Sequence, residues 1–535
     1  MRTILTNGKI YIEKDNFKEA ILIEDGIIKQ VGSNEELSHF SADRIINLEG
    51  KTVLPGFNDS HLHLSSIGAA MTSCNLTQAK SIDEIIKIGR DFLKDNENLG
   101  ALHGRGWNQD YFITGEKRLL NRFDLDKIST EIPIVFDRVC GHVSVSNTKA
   151  LEILGIDENT HVDGGTIELD EEGKPNGIFT ENAIRLIQSI IPKKDNLQKE
   201  KEFLKAADYA ISLGITSVQS CDIMDEESQC MFEIIHNIYD NKKTKLRYSH
   251  QFNYQNIDDF KNYLETEYLE GKYDEKFLSR GALKLFKDGS LGAKTALMLE
   301  DYKDAPGLKG VAALSSQQLQ NLVDLATQYG IRVVTHAIGD SAVEDVINAY
   351  ENTIKSGRNK DNHLRHGIVH CQISSMAQLN KIANLNIPVM YQPIFLDYDI
   401  QIVESRVGKE LASTSYAFNT LYKLGAPISL GTDCPVEDCN PFPNIYCAVT
   451  RRRLNGTPEE GFNPREKMNL ADVIDAYTIG SAFNEFKEDF KGRLMPGYVA
   501  DLVVLDRDIF TIEEEEIKNI RIEKTMIDGQ FIYEK

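Results

Sequence analysis

The sequence lacks several features that would assign a protein to a class at once. Its 535 residues include 60 lysines and arginines against 82 aspartates and glutamates, a net charge of −22. Nucleic acids and anionic membrane surfaces are bound by cationic faces, so this charge argues against both partners. No apolar run approaches the roughly 18 residues of a membrane span. The first residues also lack the apolar core of a signal peptide, so we expect a cytoplasmic protein.

The eight cysteines lack any arrangement typical of a zinc finger. They are scattered, with no CxxC pair, which is typical of free thiols in a reducing cytosol. A glycine-rich phosphate loop, an internal repeat and a low-complexity tract are all missing. The balance of 41% hydrophobic and 27% charged residues is that of a soluble globular chain. We therefore expect a large globular protein that acts on a small molecule, and nothing in the sequence excludes a homodimer.

Short strands separated by glycine-containing turns predominate at both ends of the chain. They are predicted within the first fifty residues and again between about 501 and 533. Neither end is long enough to bury a sheet by itself. We therefore predict that residues 1–54 and 491–535 pair into one composite β-sandwich, with the rest of the chain inserted between them.

Strands alternate with helices in the region 55–490. Helical periodicity is clearest over 197–213, 316–329 and 340–355. This alternation implies an α/β fold in which a parallel sheet has helical crossovers, and eight such units would close into a (β/α)8 TIM-like barrel. The predicted strands are 52–57, 134–136, 216–219, 280–286, 331–334, 367–369, 387–391 and 428–430.

The spacing of polar residues that follow strands supports a barrel of about 31 residues per unit. His336 and His370 are 34 residues apart, which is one unit, and Asp433 follows 63 residues later, which is two. The 221 residues between His63 and Lys284 are far more than three units need. We therefore predict a long insertion early in the barrel, at about 65–195.

His61 and His63 are separated by one residue and follow an apolar, strand-like run. Strand periodicity of two puts both imidazoles on the same face. Neutral imidazole is the commonest protein ligand for zinc-like metals. Two histidines in this spacing are also compatible with a packing role, so the pair alone does not establish a metal site.

Six side chains that could bind a metal lie at the carboxyl ends of the predicted strands, where barrel active sites are built. Each taken singly has a structural explanation, such as a hydrogen-bonding histidine, a snorkelling lysine or a helix-capping aspartate. Only a barrel interior would bring all six together, and four imidazoles with a carboxylate would form a metal site there. They are His61, His63, Lys284, His336, His370 and Asp433.

These motifs resemble the amidohydrolase superfamily, specifically the amidohydrolase-3 (YtcJ-like) family, which is related to N-substituted formamide deformylases. The resemblance runs nearly end to end. It implies a metal-dependent hydrolase of a carbon–nitrogen bond, on a (β/α)8 barrel with a composite β-sandwich built from both termini. The matching segments are 54–63 (LPGFNDSHLH), 164–167, 177–181, 214–218, 284–292 (KLFKDGSLG), 336–340 (HAIGD), 431–436 (GTDCPV) and 496–502.

The resemblance also implies a role for each ligand. His61 and His63 match the ligands of a first ion, and His336 and His370 those of a second. Lys284 matches a bridging lysine that is carboxylated by carbon dioxide in binuclear members. A lysine is cationic at neutral pH and cannot bind a metal, whereas its carbamate is an anion with two oxygens. The cofactor would be a divalent metal, most simply zinc, as one or two ions.

Asp433 matches the ligand that also acts as the general base. One position departs from the family pattern, because Val369 stands where relatives commonly carry glutamate before the sixth-strand histidine. Lys284 is preferred over Lys287 because strand alternation places Lys284, and not Lys287, on the face shared with Phe286 and Asp288.

Three further residues are candidates for substrate binding: Trp107, His142 and Gln392. Each has a structural alternative, and for the single tryptophan a core position is the commoner role. A deaminase on the same fold is the alternative function. Lys284 argues against it, as does Asp340, because mononuclear deaminases typically lack the lysine ligand and carry a glutamate shortly after the strand-5 histidine.

Overall fold

A computed structural model describes residues 1–96, 99–139, 143–162, 165–181, 183–224 and 228–535. These residues form two compact units, Met1–Leu64 with Leu204–Lys535 and Ser65–Phe203. Among the described residues, no helix has both the length and the apolar character needed to cross a membrane. The seven described cysteines are all free thiols.

The first unit contains a nearly closed barrel of eight parallel strands, each hydrogen-bonded to the next in chain order. The eighth strand returns to the first, because the Asp433 amide donates to the His61 carbonyl at 2.8 Å and the His63 amide to the Cys434 carbonyl at 2.8 Å. This confirms the predicted barrel. Its strands are Phe57–Leu62, Ile215–Met224, Arg247–Asn253, Leu278–Phe286, Val333–Ala337, Gly367–His370, Val389–Tyr391 and Ile428–Leu430.

Helices connect the barrel strands, and side-chain caps begin several of them. Ser315 and Gln318 form a reciprocal capping box, as do Ser375 and Gln378. The helix predicted at 340–355 has those bounds in the structure. The longer helices are Asn196–Ser212, Ser228–Asp240, Ile257–Glu265, Ser316–Gln328, Asp340–Lys355, Met376–Asn384, Phe418–Lys423, Pro441–Thr450 and Leu470–Asp475; the shorter ones are Glu267–Glu270, Leu396–Asp399, Val403–Val407, Lys409–Ala412 and Ser481–Asn484.

Both chain ends contribute to two further sheets that enclose a common apolar core, which confirms the predicted composite β-sandwich. The first sheet is made only of strands from the amino-terminal end, whereas in the second three strands from the carboxyl-terminal end are followed by three from the amino-terminal end. In spatial order, the first contains Ile27–Gly32, Ala20–Glu24, Arg2–Thr6 and Arg44–Asn47; the second contains Gln530–Glu534, Ile522–Ile527, Leu502–Leu505, Thr52–Pro55, Lys9–Glu13 and Asn16–Lys18.

The second unit has a six-stranded mixed sheet with its own core. Trp107 is fully buried in that core, and its indole N–H donates to the Phe136 carbonyl at 3.3 Å. In spatial order the strands are Gly165–Leu169, Pro175–Glu181, Val143–Ser146, Ile134–Arg138, Leu102–Trp107 and Cys74–Asn75; the helices are Ile82–Asp95, Arg122–Asp126, Thr148–Leu154 and Ile184–Gln188, with Leu64–Thr72 at the start of the unit.

Two of the predicted barrel strands are wrong. The run 52–57 is divided, because Thr52–Pro55 pairs in the terminal sheet and the barrel strand begins only at Phe57. Between them, Gly56 passes so close to Thr216 that an added Cβ would lie 2.3 Å from it. The run 134–136 belongs to the sheet of the second unit. Both runs are continuously apolar, which indicates burial but not the sheet in which a strand pairs.

The third barrel strand, Arg247–Asn253, was missed because it is polar. Its sequence RYSHQFN shows neither an apolar run nor a clean alternation, yet all seven residues are buried. Arg247 is able to lie inside because its guanidinium binds the Asp501 carboxylate at 2.6 Å. A pattern of apolar residues cannot find a strand whose side chains are buried through pairing.

Asp399, at the end of the helix Leu396–Asp399, allows the effect of a buried carboxylate on the free energy of unfolding to be measured. Its buried carboxylate accepts hydrogen bonds from Tyr416 at 2.7 Å and Gln372 at 2.8 Å, and burial raises its pKa to about 6. Because the unfolded carboxyl has a pKa near 3.9, the stability it contributes is present at low pH and lost as the pH rises through about 6. We expect Asp399→Asn to be more stable than the wild type at pH 8, by up to about 3 kcal/mol.

That advantage should shrink to about 0.5 kcal/mol at pH 4, where the wild-type carboxyl is protonated in the folded state and about half protonated in the unfolded state. Chemical denaturation at the two pH values measures it, with the exposed Asp361→Asn as the control. A difference between Asp399→Asn and wild type that is the same at pH 4 and pH 8 would contradict the assignment.

Candidate metal centre

Three of the predicted ligands meet at the carboxyl end of the first and eighth barrel strands. Asp433 Oδ1 lies 3.3 Å from His61 Nε2 and 3.2 Å from His63 Nε2. The ligand atoms of the three residues all lie within 4.8 Å of one another. His61 ends the first strand region, His63 follows it directly, and Asp433 follows the eighth strand.

The other nitrogen of each imidazole is held by an acceptor. His63 Nδ1 donates to the Cys221 carbonyl at 2.8 Å. His61 Nδ1 lies 2.6 Å from Gln251 Oε1, while Gln251 Nε2 donates to the Ser60 carbonyl at 3.1 Å, which fixes the orientation of the amide. Both histidines therefore carry their proton on Nδ1 when neutral, and both Nε2 atoms present a lone pair to Asp433.

This arrangement brings three electron-pair donors to one point. Burial lowers the pKa of His61 to about 4, so that this imidazole is neutral. Although burial opposes its ionisation, the neighbouring imidazoles of His61 and His63 hold the pKa of Asp433 well below its usual range. For His63, the hydrogen bonds and charges of Asp433 and Cys221 outweigh burial and raise the pKa, so a metal ion would have to displace the second proton of this ring. Two imidazoles and one carboxylate suit a zinc-like ion in the same place.

His370 lies on the other side of the same carboxylate, with its Nε2 4.0 Å from Asp433 Oδ2. Gln392 orients it in the way that Gln251 orients His61. Gln392 Nε2 donates to the Met390 carbonyl at 3.0 Å, and its Oε1 therefore accepts from His370 Nδ1 at 2.7 Å. Val369, the departure from the family pattern, lies instead in a buried apolar cluster with Val334 and Met390.

His336 is the fourth imidazole, and its ring centroid lies 4.5 Å from that of His370. Its Nε2 donates to the Gly289 carbonyl at 3.1 Å and lies 3.4 Å from Asp288 Oδ1. The opposite tautomer from the other three is therefore favoured, and Nδ1 is the atom left to bind a metal. The Asp288 carboxylate is held in place by the Ile338 and Gly339 amides.

Lys284 is fully buried in the fourth strand, and among the residues that the structure describes its Nζ has no hydrogen-bond partner. The amine lies over the Phe286 ring, 3.7 Å from the centroid. Burial lowers its pKa, which favours the neutral amine that can react with carbon dioxide. Lys287 is occupied elsewhere, because it pairs with Asp345 at 2.8 Å and donates to the Leu314 carbonyl.

Backbone geometry sets the centre apart from the strands that carry it. Asp433 has a φ of 58° and His370 a φ of 79°, both in the left-handed region that favours glycine. Non-glycine residues are held there only when their surroundings require it, and such positions are concentrated at functional sites.

Two contributors to this centre were missed by sequence reasoning. Gln251 lies in the strand whose polar sequence gave no signal. Asp59 is fully buried and accepts from the His61 amide and from the Thr432 amide and hydroxyl, so it joins the first and eighth strands. Burial raises its pKa to about 7. Its position two residues before His61 in the first strand is the only signal that the sequence offered.

The three predicted substrate contacts have different outcomes. Trp107 is a core residue of the second unit, and a contact with substrate stays a prediction for it. His142 lies outside the described residues. Gln392 lies beside the centre, where its amide is hydrogen-bonded to His370 and to the Met390 carbonyl, and a contact with substrate stays a prediction for it as well.

Imidazoles and a carboxylate gathered at the carboxyl ends of the strands of a (β/α)8 barrel are typical of barrel proteins that bind a metal there. The model of the Amidohydrolase family matches residues 44–533. The YtcJ protein of Bacillus subtilis is 32% identical over the full length of both chains. The N-substituted formamide deformylase of Arthrobacter pascens is 25% identical over 99% of this chain and 98% of its own.

Among solved structures, an uncharacterized metal-dependent hydrolase from Pyrococcus horikoshii OT3 superposes with a TM-score of 0.78 at 27% identity, covering 96% of this chain and 99% of its own. The chain belongs to the amidohydrolase family, which confirms the resemblance inferred from its motifs.

Replacing Gln251 tests how the first imidazole is positioned. Gln251→Leu removes the acceptor that holds the Nδ1 proton of His61, and we expect metal affinity to fall about 10–100-fold, as for other partners of ligating histidines. Gln251→Glu keeps an acceptor oxygen and should restore most of it. Metal competition with a fluorescent chelator measures the affinity, and the exposed Gln317→Leu is the control. Equal affinities for Gln251→Leu and Gln317→Leu would exclude the positioning role.

Proposed function

We propose that this protein is a metal-dependent hydrolase that cleaves the carbon–nitrogen bond of an amide or formamide-like small molecule. The observation that carries the proposal is the convergence of His61 Nε2, His63 Nε2 and Asp433 Oδ1 at one point. Family membership and the metal-dependent hydrolase of Pyrococcus horikoshii support the same reading.

The ligand set divides into two groups. His61, His63 and Asp433 would hold a first ion, and His336 Nδ1 with His370 Nε2 would hold a second. Carboxylated Lys284 would bridge them, since its neutral, unpartnered amine can add carbon dioxide and release one proton to form a carbamate. Imidazole and carboxylate ligands suit zinc and several other divalent metals, and we take zinc as the first candidate.

A bound divalent ion would supply a water of lowered pKa and a Lewis acid for the substrate carbonyl. Asp433 then performs the proton transfers. Its depressed pKa keeps it ionised, so it can accept the proton of the attacking water and later deliver it to the leaving nitrogen. The Nδ1 hydrogen bonds of the histidines keep their lone pairs directed inward throughout.

The name of the formamide deformylase relative supports the choice of bond. A deaminase is disfavoured because the acidic residue after the fifth strand is committed to structure. Asp340 opens the helix Asp340–Lys355, and its Oδ1 accepts from the Leu299 amide at 2.9 Å. A structural role of this kind is ordinary for an aspartate at the start of a helix, and it weighs against a deaminase.

Substrate screening with the metal-loaded protein tests the proposal. N-formyl and N-acyl amines should release a carboxylate and a free amine in equal amounts, and a chelator should abolish the reaction until divalent metal is returned. Amino-substituted heterocycles are screened in parallel for ammonia. Ammonia release from heterocycles with no amide cleavage would overturn the proposal in favour of a deaminase.

A further inference from the structure

A cavity of about 180 Å³ lies among the amino-terminal halves of the barrel strands. Arg280 is the third residue of Leu278–Phe286, and Arg332 directly precedes Val333–Ala337. The predicted metal ligands of these two strands lie at their other ends. At about 3.3 Å per residue, Arg280 and Lys284 are separated by about 13 Å along the strand. The two arginines therefore lie at the opposite ends of their strands from the metal ligands, and Gln251, which lines the cavity, also accepts from His61 of the metal centre.

The cavity carries an excess of positive charge. Among the described residues, neither Arg280 nor Arg332 has a carboxylate within ion-pair distance. The one acidic side chain found in the lining is Glu485, which is already paired with Lys491 at 3.0 Å and accepts from Asn58 at 2.7 Å. Burial lowers the pKa of Arg332 to about 9, a sign of how poorly its charge is compensated.

The lining also holds hydrogen-bond donors that lack acceptors. Among the described residues, Arg280 Nε and both ring nitrogens of the fully buried His250 have no partner, and one of those ring nitrogens carries a proton in the neutral ring. The rest of the Arg280 guanidinium donates to the Gly271 carbonyl and lies over the Tyr268 and Tyr273 rings. Arg332 gives single N–H groups to the Asn484 carbonyl and to Met390 Sδ, which leaves one further N–H on each terminal nitrogen. Buried polar groups are rarely left unpaired in folded proteins, so these donors call for an acceptor.

We propose that this cavity binds a small oxyanion, of the phosphate or carboxylate class, between Arg280 and Arg332. Such an ion is an acceptor at every polar atom and matches the planar fork of a guanidinium. It would supply the missing negative charge and accept from the unpartnered donors. The cavity has room for a small anion together with several waters.

Gly330 offers a matched pair of variants to test the site. It lines the cavity, has a φ of +67°, and no atom lies within 4 Å of the position of an added Cβ. Asparagine and aspartate both tolerate this backbone conformation. Gly330→Asp adds a negative charge to the wall of the cavity, whereas Gly330→Asn adds the same shape without the charge.

The measurement is the midpoint of thermal unfolding of the metal-loaded protein in phosphate, acetate or chloride at equal ionic strength. A ligand that binds the folded state raises the midpoint in a saturable way. We expect phosphate or acetate to do so in the wild type and in Gly330→Asn, with binding at least about tenfold weaker in Gly330→Asp. The tighter of the two anions identifies the class.

Arg280→Gln is an independent variant and should weaken binding to a similar degree, whereas the exposed Arg358→Gln should not. An anion bound only at the metal centre would be unaffected by Gly330→Asp and by Arg280→Gln. That result, or a midpoint no higher in phosphate and acetate than in chloride, would overturn the proposal. None of these outcomes depends on the substrate or on the reaction.

Discussion

Asp433→Asn is expected to reduce kcat by about 1000-fold, the contribution typical of a positioned general base. The asparagine keeps the shape of the side chain but cannot accept the proton of the attacking water. It also removes the negative charge on which His61 and His63 converge. Steady-state kinetics on an amide substrate measure the loss, with metal content determined on the same samples so that weaker metal binding is separated from lost proton transfer.

Asp324→Asn is the matched control for this variant. The substitution is the same, aspartate to asparagine, but Asp324 is far from the site in function: its carboxylate pairs with Arg358 at 2.7 Å. The activity of the Asp324→Asn protein should stay within about twofold of the wild type. An Asp433→Asn protein that contains its full complement of metal and retains more than a tenth of the wild-type kcat would refute the role of Asp433 as the base.

Lys284→Met is expected to lower metal content and to reduce kcat by at least about 100-fold. Loss of a residue that only orients a ligand costs about 10–100-fold in affinity or activity, and loss of a bridging ligand should cost at least as much. Methionine fills the apolar space over Phe286 without offering an amine to carbon dioxide. In the wild type incubated with ¹³C-bicarbonate, NMR should show a carbamate carbon that is absent from Lys284→Met.

Lys287→Met is the control for the carbamate signal. Lys287 lies three residues further along the same segment, but its amine is paired with Asp345 and the Leu314 carbonyl. We expect it to keep the signal. A signal of equal intensity in Lys284→Met and in the wild type would show that another amine is carboxylated. Acetate that restores activity to Lys284→Ala would give further support, because it supplies the missing carboxylate.

The fold could be predicted where the sequence pattern has a single structural meaning. The helix at 340–355 has both an apolar stripe and clear ends, and its bounds are as predicted. Prediction failed where burial comes from pairing between distant residues. The strand Arg247–Asn253 has a polar sequence but is buried, and Arg247 is tolerated there because it pairs with Asp501, 254 positions away. The residues that flank Arg247 in the sequence give no indication of so distant a partner.

The candidate ligands were predictable because their chemistry is restricted. Few residue types bind divalent metals, and the spacing of His336, His370 and Asp433 follows the repeat of a barrel. Gln392 shows the limit of this reasoning. Its place after the seventh strand indicated a role near the site, but whether its amide faced a substrate or His370 depended on the packing of two neighbouring strands.

The sequence by itself determined which chemical groups this protein places at the end of its barrel, and in what order along the chain. Only the tertiary structure decided which nitrogen of each imidazole faces inward. The proton on Nδ1 is fixed by acceptors 190 residues away for His61, 158 for His63 and 22 for His370. A histidine offers either nitrogen until a partner takes one, and in this protein the partner arrives only when the strands have come together.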